Sequence, residues 1–282
     1  MTTQVLHEVA RAKINLALHV RARMPDGYHA LETLFAFAQD GDRLTLDPQA
    51  PLSLMIGGRF GAGLSGENDN LIIRAARGFL ASFGLAERGA FTLDKRLPIA
   101  AGIGGGSADA AAALRLMVRA HNVAPNDPRL MMLAATLGAD VPACLDGRMT
   151  RGEGRGDALV PVAPGALQAM PLLLVNPGVP CPTGPVFKAW DGVDHGPLGD
   201  GDPLAAAVAG RNDLEPPARR LVPAVASAID ALAAQPGVLL ARMSGSGATA
   251  FALFDGLAAR DAAAAAIGTA QPGWWQMASR IA

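Results

Sequence analysis

The feature that most constrains the fold is a glycine-rich string between a strand pattern and a helix pattern. Residues 98–114 read PIAAGIGGGSADAAAAL, with four glycines within five positions. Glycine lacks a side chain and permits positive φ, so successive backbone N–H groups can turn toward one anion. The helix expected from Ser107, with Asp109 in its first turn, adds unsatisfied N–H groups and a positive dipole end. The string predicts a phosphate-binding loop; a turn that only joins strand to helix is the alternative.

Other glycine-containing motifs do not match this string. A Walker loop requires a lysine directly after its glycines, and none follows here. The dinucleotide fingerprint requires glycine where Ser107 stands, and the hydrolase elbow requires glycine where Asp109 stands. The HRD and DFG strings of protein kinases are absent from the sequence. An oxidoreductase that binds a dinucleotide at the loop stays only as an alternative.

Composition limits the class of protein. The 282 residues are 50% hydrophobic and 17% charged, which is typical of a globular protein with a large core. A net charge of -1 provides no general field for nucleic acid or an anionic membrane, so neither is expected as a partner. No signal peptide and no long apolar stretch occurs, which predicts a reducing cytoplasm. Oligomeric state is left open.

The cysteines and lysines are few. Cys144 and Cys181 cannot make a disulfide framework, and both are expected to be buried thiols. Lys13, Lys95 and Lys188 are the three lysines among 24 basic residues. Coding bias best explains their scarcity, yet arginine and lysine differ in chemistry, so each remaining lysine is a candidate functional residue.

The predicted strands and helices do not alternate regularly. Strands are expected at residues 5–20, 31–46, 52–56 and 172–175, from Phe91 until Pro98, and on both sides of a turn within 243–254. Helices are expected at residues 71–84, 107–122, 128–138 and 217–234 and from residue 260. This order favours an α+β fold over a doubly wound sheet, with two domains at residues 1–162 and 163–282.

Three strings, in order, resemble the motifs of one kinase superfamily. The loop string is similar to the second motif of the superfamily that joins galactokinase, homoserine kinase, mevalonate kinase and phosphomevalonate kinase (the GHMP kinases). ARAKINLALHV resembles its first motif and MSGSGATAFALF, residues 243–254, its third. The resemblance implies a two-domain GHMP-kinase-like α+β fold, with nucleotide and substrate in the interdomain cleft.

Four further strings resemble one branch of this superfamily. They are GYHALETLF from Gly27, LGADVPACL from Leu137, NPGVPCPTGPVF from Asn176 and NDLE from Asn212. The resemblance covers nearly the whole chain, apart from residues 191–203. It implies transfer of the ATP γ-phosphate to a tertiary hydroxyl of a cytidine-diphosphate-linked methylerythritol in non-mevalonate isoprenoid synthesis. ATP is then the co-substrate, and Mg²⁺ is expected with it.

Two catalytic residues follow from the resemblance. Asp140, in GADVP, matches the catalytic aspartate and is the expected base; taken alone, such an aspartate is more often a turn or cap residue. Lys13 matches the catalytic lysine and is expected near Asp140, where it would keep the carboxylate ionised and stabilise the moving phosphoryl group. The alternative for Lys13 is an ordinary solvated strand lysine. A nucleotide-binding module without catalysis would not need this base.

Five residues are expected to bind substrate. Asn15 shares the strand face of the catalytic lysine and can orient substrate or base. Tyr28 and His29 match residues that offer cytosine a stacking plane and an imidazole for its edge. Phe187 and Thr183 match a second aromatic wall and a polar contact. Taken alone, Tyr28 could equally be a turn residue packed on the core, and a phenylalanine is more often core.

The expected ATP-binding residues are those of the glycine-rich string. They are Pro98, Ile99, Ala100, Ala101, Gly102, Ile103, Gly104, Gly105, Gly106, Ser107 and Ala108. Ser107 can donate to the β- or γ-phosphate and can contact the metal. Ala108 stands where many superfamily members carry a second serine, which removes one possible hydroxyl donor.

Three further expectations concern the surroundings of the loop. Lys95 is close enough in sequence to assist ATP phosphates, and a surface position is equally expected. The glycines of the third motif, within residues 244–247, should let two backbones approach each other near the loop. No carboxylate stands out as a metal ligand, so the ligands are unassigned and Mg²⁺ is expected to be held largely by phosphates and water.

Overall fold

The computed structural model describes residues 5–64 and 69–282, which form two compact units that are each discontinuous in sequence. The first unit comprises Met1–Ala12, Asp40–Ile99 and Gly104–Gly147, and the second comprises Lys13–Gln39, Ala100–Ile103 and Arg148–Ala282. The sequence predicts a single boundary, between residues 162 and 163, whereas each of these units is made of three separate chain segments. The boundary stays a prediction.

Two long strands contribute residues to both units. They are β1 (Leu6–Arg23) and β2 (His29–Pro51), which pair with each other. Both are longer than their sequence patterns predict, at 18 and 23 residues.

The first unit combines a small sheet with four helices. The elements are β3 (Ser53–Gly57), α1 (Leu71–Ser82), β4 (Arg88–Asp94), α2 (Gly105–Ala120), α3 (Pro128–Leu137) and α4 (Val141–Asp146). Strand β4 pairs antiparallel with the second half of β2 and parallel with β3. Helix α1 begins at its N-cap Asn70, whose side chain accepts from the Ile72 N–H, and buries Phe79 against its neighbours. Helix α2 is largely buried, as its alanine-rich sequence permits.

The second unit contains the strands β5 (Thr150–Glu153), β6 (Ala158–Pro161), β7 (Pro171–Asn176), β8 (Val238–Met243), β9 (Ala250–Phe254) and β10 (Trp275–Arg280). Strand β5 pairs with the first half of β2 and with β6, and the other four form an antiparallel sheet in the order β10-β7-β9-β8. The helices of this unit are α5 (Thr183–Lys188), α6 (Pro203–Ala209), α7 (Glu215–Leu221), α8 (Pro223–Ala233) and α9 (Leu257–Ala270). Helices α8 and α9 pack on the sheet, and the core between them includes Leu173, Phe254 and Ile267.

The α+β prediction is confirmed, with three local corrections. The helix expected at residues 217–234 is two helices, because Pro223 disfavours helical backbone at Val222, which has φ -135° and ψ 85°. The helix expected from Ser107 begins two residues earlier, at Gly105. The short hairpin β5–β6 and the helices α4, α5 and α6 were not predicted, since each spans at most seven residues and shows too little periodicity.

Two expectations about the chain as a whole can be compared with the structure. Cys144 and Cys181 are both buried thiols outside any disulfide, as predicted, and burial raises the pKa of the Cys181 thiol. Within residues 5–64 and 69–282, none of the helices has the length and apolar character needed to cross a membrane.

Candidate active site

The glycine-rich loop has an unusual backbone. Ala100, Gly102 and Gly104 all have positive φ, at 51°, 75° and 63°. Gly104 is the N-cap of α2 in the left-handed conformation, and no side chain caps this helix. The first N–H groups of α2 therefore lack both an intrahelical acceptor and a side-chain cap. Such N–H groups are suited to bind phosphate oxygens.

The third motif approaches the loop at Gly102. A Cβ atom at Gly102 would lie 2.5 Å from the Ser244 carbonyl oxygen and 2.7 Å from that of Gly247. The Ser244 hydroxyl donates to the Gly102 carbonyl at 3.0 Å. Asn212, the first residue of NDLE, donates from its amide to the Met243 and Gly245 carbonyls, each at 2.8 Å. The predicted close approach of two backbones is confirmed, and Asn212 holds the third motif in place.

Strand β1 carries Lys13 in a buried position. Only 4% of Lys13 is exposed, so the alternative of a solvated strand lysine is wrong. Its ammonium lies 4.7 Å from the centre of the Phe35 ring, and its backbone N–H donates to the Ile103 carbonyl of the loop at 3.0 Å. Lys13 belongs to the second unit and Asp140 to the first. The expected pairing of these two residues stays a prediction.

Asn15, two residues along β1, presents an unpaired acceptor. Its Nδ2 donates to the Thr33 hydroxyl at 2.8 Å, and that hydroxyl donates to the Ala17 carbonyl at 2.7 Å. This chain of hydrogen bonds fixes which end of the amide is nitrogen. The Asn15 Oδ1 atom is buried and has no hydrogen-bond partner in the described part of the chain. It can accept a hydrogen bond from a ligand hydroxyl.

Four of the predicted substrate residues meet at one cavity of the second unit. The cavity has a volume of about 390 Å³, and Tyr28, His29, Thr183 and Phe187 line it. Tyr28 lies in the turn between β1 and β2 and is 58% exposed, so it is not a core residue. Phe187 packs partly on the core and also lines the cavity. The Thr183 hydroxyl lies 2.8 Å from that of Ser246 in the third motif.

His29 is held between two aromatic rings. The Phe187 ring lies 4.9 Å from the imidazole, and the Trp190 ring meets it edge-on at 5.6 Å. Burial, with a smaller contribution from the Arg23 charge, lowers the pKa of His29 below its ordinary value. A neutral imidazole is therefore favoured near neutral pH. Its Nε2 atom is buried and unpaired among the described residues.

Three cations at this cavity were not predicted. Arg23, Arg155 and Lys188 line it together with the aromatic residues. The Arg155 guanidinium lies 4.2 Å from the centre of the Tyr28 ring and forms an ion pair with Asp26. Arg155 belongs to the turn of the unpredicted β5–β6 hairpin, so no sequence signal indicated it. Lys188 follows Phe187 directly, which is the one signal that could have placed it here.

Asp140 occupies the N-cap position of α4 and is half-buried. The position agrees with the turn-or-cap alternative, yet the Asp140 side chain makes no capping hydrogen bond. Its carboxylate is therefore not committed to stabilising the helix end.

Lys95 does not have the expected surface position, while its expected assistance to the ATP phosphates stays a prediction. It is 2% exposed, so it is not a surface residue, and its ammonium donates to Asp42 Oδ2 and Asp109 Oδ2, each at 2.6 Å. Burial lowers the pKa of Lys95, but the two carboxylates outweigh it and raise the pKa above the ordinary value. The expectation that Asp109 lies in the first turn of α2 is wrong, because the helix begins at Gly105. It is 4% exposed and pairs with Lys95 instead of complementing the helix dipole.

Two family models match the chain. The model of the GHMP kinases N terminal domain matches residues 70–148, and that of the GHMP kinases C terminal domain matches residues 194–272. A crystal structure of homoserine kinase from Cytophaga hutchinsonii superposes with a TM-score of 0.69 at 18% identity, over 100% of this chain and 96% of that one, which shows a common fold. The fold and the glycine-rich loop are those of a GHMP kinase.

Closer relatives carry one name. The 4-diphosphocytidyl-2-C-methyl-D-erythritol kinase of Rhizorhabdus wittichii is 60% identical over 97% of this chain and 94% of its own length. That of Cereibacter sphaeroides is 52% identical over 96% and 98%. A crystal structure of 4-(cytidine 5'-diphospho)-2C-methyl-D-erythritol kinase superposes with a TM-score of 0.78 at 37% identity, over 98% of this chain and 99% of that one. The chain belongs to the family of 4-diphosphocytidyl-2-C-methyl-D-erythritol kinases. It is a small-molecule kinase that uses ATP.

The buried acid of α2 generates a prediction for stability. Burial, together with the Asp42 charge, raises the pKa of Asp109 to about 7 against the opposing effect of Lys95. Between about pH 4 and about pH 7 the Asp109 carboxyl then holds a proton in the folded state that it has lost in the unfolded state. The contribution of Asp109 to the free energy of unfolding therefore declines as pH rises. The free energy of unfolding of each variant is measured with urea. The value for wild type minus the value for Asp109→Asn should fall by roughly 2–3 kcal/mol between about pH 5 and about pH 8.

The matched control is Asp200→Asn, which removes a carboxylate whose side chain is 99% exposed. It should leave the pH profile of wild type unchanged, because the group meets water in both states. A difference between wild type and Asp109→Asn that stays constant with pH, or grows as pH rises, would contradict the raised pKa.

Proposed function

We propose that the protein transfers the γ-phosphate of ATP to the 2-hydroxyl of 4-diphosphocytidyl-2-C-methyl-D-erythritol, in the cytoplasm, as a step of non-mevalonate isoprenoid synthesis. The single observation that carries the choice of substrate is the cavity that Tyr28, His29 and Phe187 line. The proposal also agrees with the name shared by relatives that are 60% and 52% identical.

The cavity suits a cytidine diphosphate group. Tyr28 and Phe187 offer aromatic planes on which a base can stack. The unpaired Nε2 of His29 is available for a hydrogen bond to the base edge. Arg23, Arg155 and Lys188 supply positive charge at the same cavity, where a diphosphate would need it. A substrate without a nucleobase, such as homoserine or mevalonate, would leave this set unused.

In the proposed reaction the tertiary hydroxyl oxygen attacks the γ-phosphorus. A new P–O bond forms, the bond from the γ-phosphorus to the β–γ bridging oxygen breaks, and ADP leaves. Asp140 accepts the proton of the hydroxyl. Lys13 stabilises negative charge on the attacking oxygen and the moving phosphoryl group. Asn15 accepts a hydrogen bond from the substrate with its buried, unpaired Oδ1.

The loop provides the proposed site for the phosphates of ATP. The N–H groups at the start of α2 are uncapped by any side chain, and the half-buried Ser107 can add its hydroxyl. Within residues 5–64 and 69–282, no group of three His, Cys, Asp or Glu residues could hold a metal ion. The Ser107 hydroxyl would be the protein group that holds a magnesium ion, whose other ligands would be phosphate oxygens and water. When bound, Mg²⁺ supplies neutralisation of phosphate charge.

Turnover is the test of this function. The purified protein with ATP, magnesium and 4-diphosphocytidyl-2-C-methyl-D-erythritol should release ADP and yield a phosphorylated product. Homoserine and mevalonate, offered in the same assay, should give no release above background. Turnover of only homoserine or only mevalonate would show that the protein has the activity of another GHMP kinase. ATP binding without turnover of any substrate would instead support a nucleotide-binding module.

Replacing Asp140 tests the base. Asp140→Asn keeps the shape of the side chain but cannot accept the proton, so kcat should fall by about 10²-fold or more while the affinity for ATP stays nearly constant. Steady-state kinetics and calorimetric titration with an ATP analogue measure the two quantities. The control is Asp146→Asn, the same substitution at the last residue of the same helix, and it should leave kcat near that of wild type. An unchanged rate in Asp140→Asn would remove Asp140 from the mechanism.

Replacing Tyr28 tests the cytidine site. Loss of a stacking plane costs about 1–3 kcal/mol of binding, so Tyr28→Ala should raise KM for the cytidine-linked substrate by about tenfold. KM for ATP, measured with the same preparation, should change little, and Tyr28→Phe should restore substrate KM because the ring is kept. An equal rise in both KM values would show that the residue does not discriminate between the ligands.

A further inference from the structure

The buried group of Lys95, Asp42 and Asp109 has no assigned role in the proposed reaction. The side chains are 3%, 0% and 5% exposed, and all three belong to the first unit. They come from different places: Asp42 from β2, Lys95 from the residue after β4, and Asp109 from α2. Lys95 thus links the strand that enters the phosphate loop to the helix that leaves it.

Asp42 fixes the entry to the loop. Its Oδ2 accepts from the Lys95 ammonium at 2.6 Å, and its Oδ1 accepts from the backbone N–H groups of Arg96 and Leu97 at 2.6 and 2.8 Å. One carboxylate therefore binds three consecutive residues of the chain just ahead of Pro98. These bonds determine where the loop begins.

Asp109 fixes the exit from the loop. Its Oδ2 accepts from Lys95 at 2.6 Å, while its Oδ1 is buried without a partner among the described residues. The bond to Lys95 is therefore the interaction that orients this carboxylate. Gly105, the first residue of α2, lies against the same ammonium, since a Cβ atom there would be 3.1 Å from Lys95 Nζ. Lys95 therefore lies against the first residue of α2 and bonds to Asp109 four residues further along the helix.

A buried ionic group of this kind is weak evidence for stability, because well-packed apolar side chains often stabilise a core as well or better. Its distinctive property is directional: short charge-assisted hydrogen bonds fix positions more narrowly than apolar contacts do. The groups that need narrow placement here are the N–H donors of the first turn of α2, since phosphate binding depends on their direction.

We propose that Lys95, Asp42 and Asp109 form a positioning triad that sets the spacing between the entry to the phosphate loop and the first turn of α2, and thereby sets the affinity for ATP. The triad acts through the loop backbone and does not contact the nucleotide. The inference rests on the proposed function in one respect, that the triphosphate binds at this loop.

The test compares two substitutions at Asp109. Asp109→Ala removes the bond between α2 and Lys95, so it should raise KM for ATP, and Kd for a non-hydrolysable ATP analogue, by about tenfold. KM for the cytidine-linked substrate should stay within about twofold of wild type. Asp109→Asn keeps an oxygen that accepts from Lys95, so it should recover most of the lost affinity.

The control is Ile267→Ala, which removes a side chain that is 2% exposed in α9 of the second unit. It should lower Tm and leave the affinity for ATP unchanged, which separates general destabilisation from positioning. The proposal is overturned if Asp109→Ala lowers Tm without weakening analogue binding, or if it raises both KM values equally. Should Asp109→Ala not fold, Asp42→Asn carries the same expectation and the same contrary result, because both Asp42 oxygens accept hydrogen bonds and an amide keeps only one acceptor.

Failure of the proposed function gives a different result from failure of the triad. Absence of wild-type turnover with the cytidine-linked substrate refutes the function. Analogue binding by wild type and the Asp109 variants needs no second substrate, so it still decides the role of the triad.

Discussion

The contact between two main chains at Gly102 is the constraint on which the arrangement of the three sequence motifs in the second unit depends. Only glycine fits there, because a Cβ atom would lie 2.5 Å from the Ser244 carbonyl oxygen and the residue has φ 75°. Around it, Ala101 accepts from the Thr249 N–H at 3.1 Å and Ile103 accepts from the Lys13 N–H at 3.0 Å. The three sequence motifs are thus joined by backbone hydrogen bonds, and the strand that carries Lys13 is fixed by the same contacts.

Four buried polar atoms in this unit have no partner among the described residues. Two of them, Asn15 Oδ1 and His29 Nε2, belong to residues expected to bind substrate, and the others are Thr150 Oγ1 and Trp190 Nε1. Leaving such an atom unpaired costs about 1–3 kcal/mol, and a ligand that supplies the missing bond recovers this free energy. A binding site can therefore reduce the stability of the unliganded protein locally, while interactions in the rest of the fold compensate. This explains how a stable core and an incompletely bonded pocket occur in the same unit.

Periodicity predicted the long elements and glycine spacing predicted the loop, because both are local signals, whereas the four cavity residues were expected only from the family resemblance. Sequence patterns did not predict the environment of Lys95, whose partners Asp42 and Asp109 lie 53 and 14 residues away. Nor did they predict Arg155 or Trp190, which reach the cavity or its histidine through short elements without periodicity. The start of α2 at Gly105 also escaped prediction, since glycine is a poor helix former and tertiary contacts decide its conformation. All three lysines nevertheless have specific surroundings: two are buried, and Lys188 lines the cavity.

In the proposed complex, the loop before α2 holds the triphosphate of ATP while the cavity of Tyr28 and His29 holds cytidine. The decisive measurement is a crystal structure with a non-hydrolysable ATP analogue and 4-diphosphocytidyl-2-C-methyl-D-erythritol bound together. We expect the triphosphate oxygens within hydrogen-bond distance of the N–H groups of residues 105–107, and the cytosine ring stacked on Tyr28 with its edge toward His29. A triphosphate bound away from these N–H groups, or a cytosine bound outside this cavity, would contradict this arrangement.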